Sequence, residues 1–220
     1  VADEYGIFST LLASSDASDP RRNYQNNHFL GSIGNNTQLN SWNGAALARY
    51  DFDGGVSYEY EDFNFAEVII YSDALNEGQL SVVHNYLNEK YSITIDNDQF
   101  AAPSGYTHFI AGVGQTSGDS HDHAASGGMH FFQNGGLGDG EFLFASNDSA
   151  ENNVSTIKDG GPVTSSVAEG AWNREWYLEQ TGNFNATIAF DFGEGFKNGH
   201  YPQKISNYVL LYRASTSDNY

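Results

Sequence analysis

The chain has 220 residues, of which 39% are hydrophobic and 15% aromatic, and it contains no cysteine. Its 28 acidic side chains outnumber 9 basic ones, and the formal net charge of -19 repels nucleic-acid phosphates and anionic membrane surfaces. The composition excludes disulfides, thiolate metal sites and cysteine nucleophiles, and it predicts neither nucleic-acid binding nor membrane insertion.

Aromatic residues and glycine are abundant, which is typical of many short strands joined by turns and predicts an all-β class. In chain order, the first predicted strands are 6–13 and 28–33, separated by a polar loop. Two more, 45–50 and 56–60, flank the turn sequence DFDGG. The first residue is Val1 rather than methionine, so we expect a processed or excised piece of a longer protein.

Residues 65–71 form an almost continuous apolar run, which predicts a strand buried on both faces. A helix start follows, because Asn76 is a good N-cap and Gln79 completes a capping box. The spacing of the apolar residues then predicts one buried stripe on the helix, made of Leu80, Val83, Leu87 and Tyr91. His84 is expected at the surface of this helix.

Residues 98–105 are polar and contain one proline and one glycine, so they predict a linker between domains 1–97 and 106–220. Strands resume beyond the linker. Apolar and alternating runs predict them at 106–113, 129–132, 141–145, 172–180, 186–192 and 208–213. Trp176 and Leu178 share one strand face in this pattern, and Ile188 and Phe190 can oppose them.

The run AEVIIYSDALNEGQLSVVHNYLNEKYSI resembles the closing segment of laminin-G-like, concanavalin-type jelly-roll domains in secreted bacterial proteins. Ser92 stands where that pattern usually has glycine. The segments HFIAGVGQ, LGDGEFLF, REWYLEQTG and YVLLYRAS make the second half similar to an uncharacterised β domain that follows such jelly rolls. The resemblance implies an incomplete jelly-roll β-sandwich with one closing α-helix, followed by a second β-sandwich, in a secreted, cell-surface setting.

A concanavalin-type sandwich needs more strands than residues 1–97 supply, and the apolar strand at 208–213 has no obvious partner after it. Open sheet edges invite pairing with another chain. We therefore expect a homo-oligomer or polymer in which a neighbouring subunit adds strands. The alternative interpretation is that the chain is a fragment.

The loop sequence DSHDHAASGGMH contains the most metal-like group of side chains. Three imidazoles, those of His121, His123 and His130, could hold a catalytic zinc ion with an open coordination position. The loop is nevertheless extended and rich in glycine, so it offers no rigid platform for the ligands. The alternative, which we favour, is a solvated polar turn.

Calcium is the other candidate cofactor, because Asp51 and Asp53 place hard oxygen ligands in one turn. Their spacing does not match a twelve-residue calcium loop. A charged turn that keeps a sheet edge soluble explains the same residues.

A glycan site needs an exposed aromatic platform, for which Trp42, Tyr58 and Tyr60 are the candidates. Packing inside the sandwich or over its end explains these rings equally well. Retaining glycosidases of the concanavalin fold share a Glu-x-Asp-x-x-Glu strand, and the acidic residues at 59–67 do not reproduce it.

The sequence therefore predicts no enzyme but an extracellular, adhesive or structural bacterial surface module that self-assembles into filaments by strand pairing. The alternative function is a carbohydrate-binding module of a secreted polysaccharide-degrading system, with a neutral polysaccharide as partner.

Overall fold

A computed structural model describes residues 6–11, 21–33, 49–50, 59–60, 65–149, 154–155, 171–172, 174–191 and 210–215. The described residues are mostly antiparallel β-sheet with a single helix, which confirms the predicted all-β class in its coarse form. They divide into two compact units, Phe8–Leu75 and Val1–Ile7 with Asn76–Tyr220, which we call the first and second units.

The elements of the first unit are β1 Phe8–Leu11, β2 Arg21–Gln25, β3 His28–Ile33, β4 Arg49–Tyr50 and β5 Glu59–Tyr60. Those of the second unit are α1 Glu77–Tyr91, β6 His108–Thr116, β7 Asp119–His121, β8 His123–Ser126, β9 Met129–Gln133, β10 Phe142–Asn147, β11 Val154–Ser155, β12 Ala171–Trp172, β13 Trp176–Thr181 and β14 Ala186–Phe190.

The first unit contains an antiparallel meander, β1-β2-β3, and the short pair β4-β5. Strand β2 was predicted as loop, and the missed signal is the turn that follows it. Asn26 and Asn27 have φ of 50° and 65°, the left-handed pair that a tight two-residue hairpin requires and that asparagine tolerates well. The hairpin places the ring of Tyr24 5.5 Å from that of Phe29.

Residues 65–71 form no strand in the structure, so the predicted strand buried on both faces is wrong. Its large apolar side chains are exposed, from 37% for Ile69 to 70% for Ile70. An apolar run is buried only where other layers enclose it. Helix α1 packs on β6 and β7.

The second unit has three layers: the helix α1, a central sheet and an outer sheet. The central sheet has the order β13-β10-β6-β7, and the outer sheet has the order β14-β9-β8. Strand β10 is buried at every one of its 6 residues because it has a layer on each side. Leu143 and Ala145 pack with Met129 and Phe131 of the outer sheet. Alternate residues of β10 face the helix side instead.

On the helix side, Phe142 and Phe144 of β10 pack with Phe100, Ile110 and side chains of α1. The predicted linker, 98–105, is therefore a packed strap across the central sheet. Phe100 is 1% exposed and stacks on Phe144 at 5.2 Å between ring centroids. The observed division places α1 with the second unit, whereas the sequence placed it with residues 1–97.

Helix α1 begins with the predicted capping box. The Asn76 side chain accepts a hydrogen bond from the Gln79 backbone N–H at 2.8 Å, and the Gln79 side chain accepts from that of Asn76 at 3.0 Å. Leu80 is buried, and Leu87 and Tyr91 pack against a small cluster of isoleucines. These three residues of the predicted stripe therefore face the interior.

The rest of the buried face of α1 is polar, which the sequence pattern did not predict. Ser81, His84, Asn85 and Asn88 are buried, so the expected surface position of His84 is wrong. Asn85 shows why this face tolerates polar groups: its amide donates to Ser81 O at 2.9 Å and accepts from the Gln99 N–H at 2.7 Å. For Asn85, these hydrogen bonds to the helix and to the strap offset the cost of burial.

Replacing Ser92 with glycine is expected to raise the free energy of unfolding by about 0.5–1 kcal/mol. Ser92 is the C-cap of α1 and has φ 55°, ψ 44°, a left-handed conformation that strains any residue with a Cβ. Urea unfolding of Ser92→Gly beside wild type measures the difference. Ser92→Ala is the matched control, since it keeps the Cβ and should gain nothing, and equal stability of all three proteins would contradict the strain.

Candidate functional site

The predicted histidine cluster lies where the chain crosses from the central to the outer sheet. His121 ends β7 in the central sheet, and His123 begins β8 in the outer one, with Asp122 between them. The Nδ1 atom of His123 lies 2.7 Å from Asp122 Oδ1, and this hydrogen bond lowers the pKa of the Asp122 carboxyl. Burial lowers the pKa of His121.

The third histidine does not join the other two. His130 on β9 stacks on Phe132 at 6.3 Å between ring centroids, and His123 meets the same ring edge-on at 5.4 Å. Within the described part of the chain, no three His, Cys, Asp or Glu side chains form a group that could hold a metal ion. The three histidines predicted as zinc ligands are divided between two sheets, His121 in the central sheet and His123 and His130 in the outer one, and the zinc-type site stays a prediction.

The other predicted site residues lie outside the described part of the chain or at its margin. Asp51, Asp53, Trp42 and Tyr58 fall outside it, and Tyr60 is described only through the backbone of β5. Calcium at the DFDGG turn and a glycan on these rings stay predictions.

Exposed apolar side chains mark two segments with no strand structure. One is the Phe65–Tyr71 segment of the first unit, and the other is Leu210–Tyr212 of the second. Leu210 is 76% and Tyr212 81% exposed. Contiguous exposed apolar side chains are typical of protein interaction surfaces.

Arg213 holds the second of these segments at the start of β13. Its guanidinium pairs with the carboxylate of Glu175 and donates to the Tyr106 hydroxyl at 3.3 Å. Glu175 has a fixed backbone position, since its N–H donates to Asp148 Oδ1 at 2.9 Å and its carbonyl accepts from the Asp148 N–H at 3.2 Å. Arg213 is therefore attached to a rigid part of the second unit.

The same end of β13 carries a stacked arginine. The Arg174 guanidinium lies 4.3 Å from the centre of the Phe109 ring and 5.7 Å from that of Trp172. It also donates to the Gly127 carbonyl oxygen. Such cation–π contacts hold the side chain in place.

Strand β13 is an edge of the central sheet, because among the described strands it pairs with β10 alone. Leu178, in the middle of β13, is 38% exposed although it points toward the outer sheet. Ile188 on the neighbouring edge strand β14 is exposed to a similar degree. Leu178 and Ile188 are thus partly exposed at the edges of the two β-layers.

The sequence indicated both partners of the Arg213 contact as strand segments, REWYLEQTG and YVLLYRAS, but not their proximity. Opposite charges at the two ends of these segments are the one local signal that could have suggested that the segments lie close together.

Comparison with protein-family models, with curated proteins and with solved structures finds no match. No helix in the described ranges is long and apolar enough to cross a membrane.

Proposed function

We propose that the chain is a non-catalytic module of a secreted bacterial surface protein, which acts by contact and assembles with copies of itself through strand pairing. The Phe65–Tyr71 segment carries this proposal. The extracellular setting and the incomplete jelly roll come from the sequence resemblance and remain part of the proposal.

Burial in a partner would stabilise the segment in two ways. Val68, Ile69 and Ile70 are each partly exposed, and covering them contributes roughly 1 kcal/mol per side chain. Strand addition also supplies backbone hydrogen bonds from the partner chain. Both terms favour a β-strand partner over solvent.

The charge of -19 opposes self-association, because identical subunits repel one another. Salt screens this repulsion, with a Debye length of about 10 Å at 0.1 M and 3 Å at 1 M. Assembly is therefore expected to strengthen as ionic strength rises, the opposite of an interaction held together by surface ion pairs.

Light scattering and negative-stain microscopy of the whole chain over a concentration series test the proposal. Wild type is expected to form growing particles or filaments, and more of them at high salt. The double variant Val68→Thr/Ile70→Thr keeps β-branched side chains but removes apolar surface, so it is expected to need at least about tenfold more protein to assemble.

Leu30→Thr is the control, because Leu30 is also an exposed apolar residue of the first unit but lies on β3, outside the Phe65–Tyr71 segment. It should assemble like wild type. A monomer at every concentration and salt would overturn the proposal. Saturable binding of a neutral glycan by that monomer would support the carbohydrate-binding alternative.

A further inference from the structure

The turn that leads out of β9 carries a reactive pair of residues. Asn134 and Gly135 come directly after the strand, and they form the one Asn–Gly step among the described residues. Both residues are exposed to solvent. In such a step the backbone nitrogen of the glycine can attack the side-chain carbonyl carbon of the asparagine, because glycine has no side chain to crowd the ring that forms.

The surroundings of Gly135 leave its nitrogen open to this reaction. A Cβ built at Gly135 would have no atom within 4 Å beyond its chain neighbours, so nothing shields the approach. Its N–H donates no hydrogen bond to any described residue, so no such bond has to break first. Ring closure at Gly135 therefore meets little resistance from the fold.

The reaction needs water and no other reactant. A bond forms between the Gly135 nitrogen and Asn134 Cγ, while the Cγ–Nδ2 bond breaks and ammonia leaves with the proton of the N–H. Water then opens the resulting five-membered succinimide ring at one of its two carbonyl carbons. The product is an aspartate, or an isoaspartate in which the backbone runs through the former side chain.

One contact restrains the Asn134 side chain. Its Nδ2 donates to Thr187 Oγ1 on β14 at 2.7 Å, so the amide must leave this acceptor before Cγ can reach the Gly135 nitrogen. A hydrogen bond of this kind contributes about 1 kcal/mol, which corresponds to a factor of about five in rate. Thr187 therefore slows the reaction without preventing it.

The Asp139–Gly140 step in the same loop has the opposite arrangement. The Gly140 N–H donates to Gln115 O at 2.9 Å, so its nitrogen is engaged. Asp139 Oδ1 accepts from Gln115 Nε2 at 3.2 Å and from the Gly118 N–H at 2.7 Å. Both groups that would have to meet are held in place, and their hydrogen bonds oppose ring closure.

We propose that Asn134 is a site of spontaneous modification, where ring closure with Gly135 converts the amide to a carboxylate. This site goes beyond the proposed function, since it does not depend on assembly. Each event adds a negative charge to a chain whose formal charge is -19. The aspartate product can still accept from the Thr187 hydroxyl. The isoaspartate product lengthens the backbone of a turn that Gln133 closes by hydrogen bonds of 3.1 and 2.8 Å to Gly136.

Incubation of the full chain at neutral pH, followed by peptide mapping, measures amide loss and isoaspartate at Asn134. Asn134→Gln keeps an amide but requires a six-membered ring, so this position is expected to stay intact while wild type reacts. Thr187→Val keeps the branched shape and removes the acceptor, so Asn134 is expected to react about fivefold faster in this variant. Mapping separates Asn134 from the Asn–Gly steps at 43–44 and 198–199, which lie outside the described residues.

Asp139→Asn is the matched control, because it places the same dipeptide on the step whose groups are hydrogen-bonded. The introduced asparagine keeps an Oδ1 acceptor for Gln115 and Gly118. It is expected to react at least about tenfold more slowly than Asn134 in the same molecule. Circular dichroism melting checks that each variant remains folded.

The same measurements in urea separate the role of the fold from that of the dipeptide. In the unfolded chain, Asn134 and the introduced asparagine are expected to react alike, and Thr187→Val is expected to match wild type. Retention of the Asn134 amide in the folded chain would overturn the proposed site. Equal rates at the two steps of the folded chain, or an unchanged rate in folded Thr187→Val, would overturn its control by the structure.

Discussion

Replacing Gly114 with alanine is expected to lower the free energy of unfolding of the second unit by about 3 kcal/mol. Gly114 on β6 lies opposite Phe142 on β10, and a Cβ at Gly114 would stand 1.9 Å from the Phe142 ring. The ring cannot move aside, because Phe142 is buried and stacks on Phe144 at 6.0 Å between centroids. The central sheet must then deform or the ring must leave its place.

Thermal and urea unfolding of Gly114→Ala measure the loss, which corresponds to a melting temperature roughly 10 °C lower in a chain of this size. Gly138→Ala is the matched control. A Cβ at Gly138 would come no closer than 3.4 Å to Glu141, and the backbone there has no positive φ. It should change the stability by less than about 0.5 kcal/mol.

A second variant separates the collision from a general cost of alanine in a strand. Gly114→Ala/Phe142→Leu removes the ring, so the added methyl group gains room. The double variant is expected to lose less stability than the sum of the two single variants, since the sites are in contact. Simple additivity would contradict the pairing of this glycine with the Phe142 ring.

Local signals in the sequence predicted most of the strands and the helix. The capping box at Asn76 is one such signal, because it involves residues only three apart. In the second unit, the predicted strands 129–132, 141–145 and 186–192 overlap β9, β10 and β14 closely. Alternation and turn residues were enough for these.

The layer arrangement was not predicted, because it depends on contacts between distant residues. Phe65–Tyr71 is more continuously apolar than β10, so the pattern predicts that it is the strand buried on both faces. The structure buries β10 instead, since α1 with the strap and the outer sheet enclose it from opposite sides. An apolar run shows what can be buried, but not which layers will cover it.

The polar face of α1 shows the same limit at smaller scale. Asn85 and Ser81 are poor core residues by hydropathy, and the acceptable burial of Asn85 depends on Gln99 in the strap. At the candidate site, the contact of Arg213 with Tyr106 spans 107 positions of sequence. The sequence identified the segments, and only the fold placed them side by side.

Acidification is expected to destabilise the second unit through His84. Its side chain is 0% exposed, and burial lowers its pKa from 6.5 to about 4. The unfolded chain takes up a proton as the pH falls through 6.5, whereas the folded chain does not until about pH 4. Stability is therefore fully present above pH 6.5 and falls between pH 6.5 and 4, by up to about 3 kcal/mol.

His84→Gln isolates this contribution, because glutamine carries polar groups but does not ionise. The variant is expected to be less stable than wild type at pH 7, since the new side chain fits the buried site less well. The difference between the two proteins should then shrink as the pH falls to 4, as wild type loses the stability that its neutral histidine gave. Urea unfolding of both proteins at pH 7, 5.5 and 4 measures this difference in the free energy of unfolding.

The comparison does not depend on the many carboxylates, because they titrate in both proteins and cancel in the difference. If the gap between His84→Gln and wild type is the same at pH 7 and pH 4, the buried neutral imidazole is not the group that makes the unit acid-sensitive.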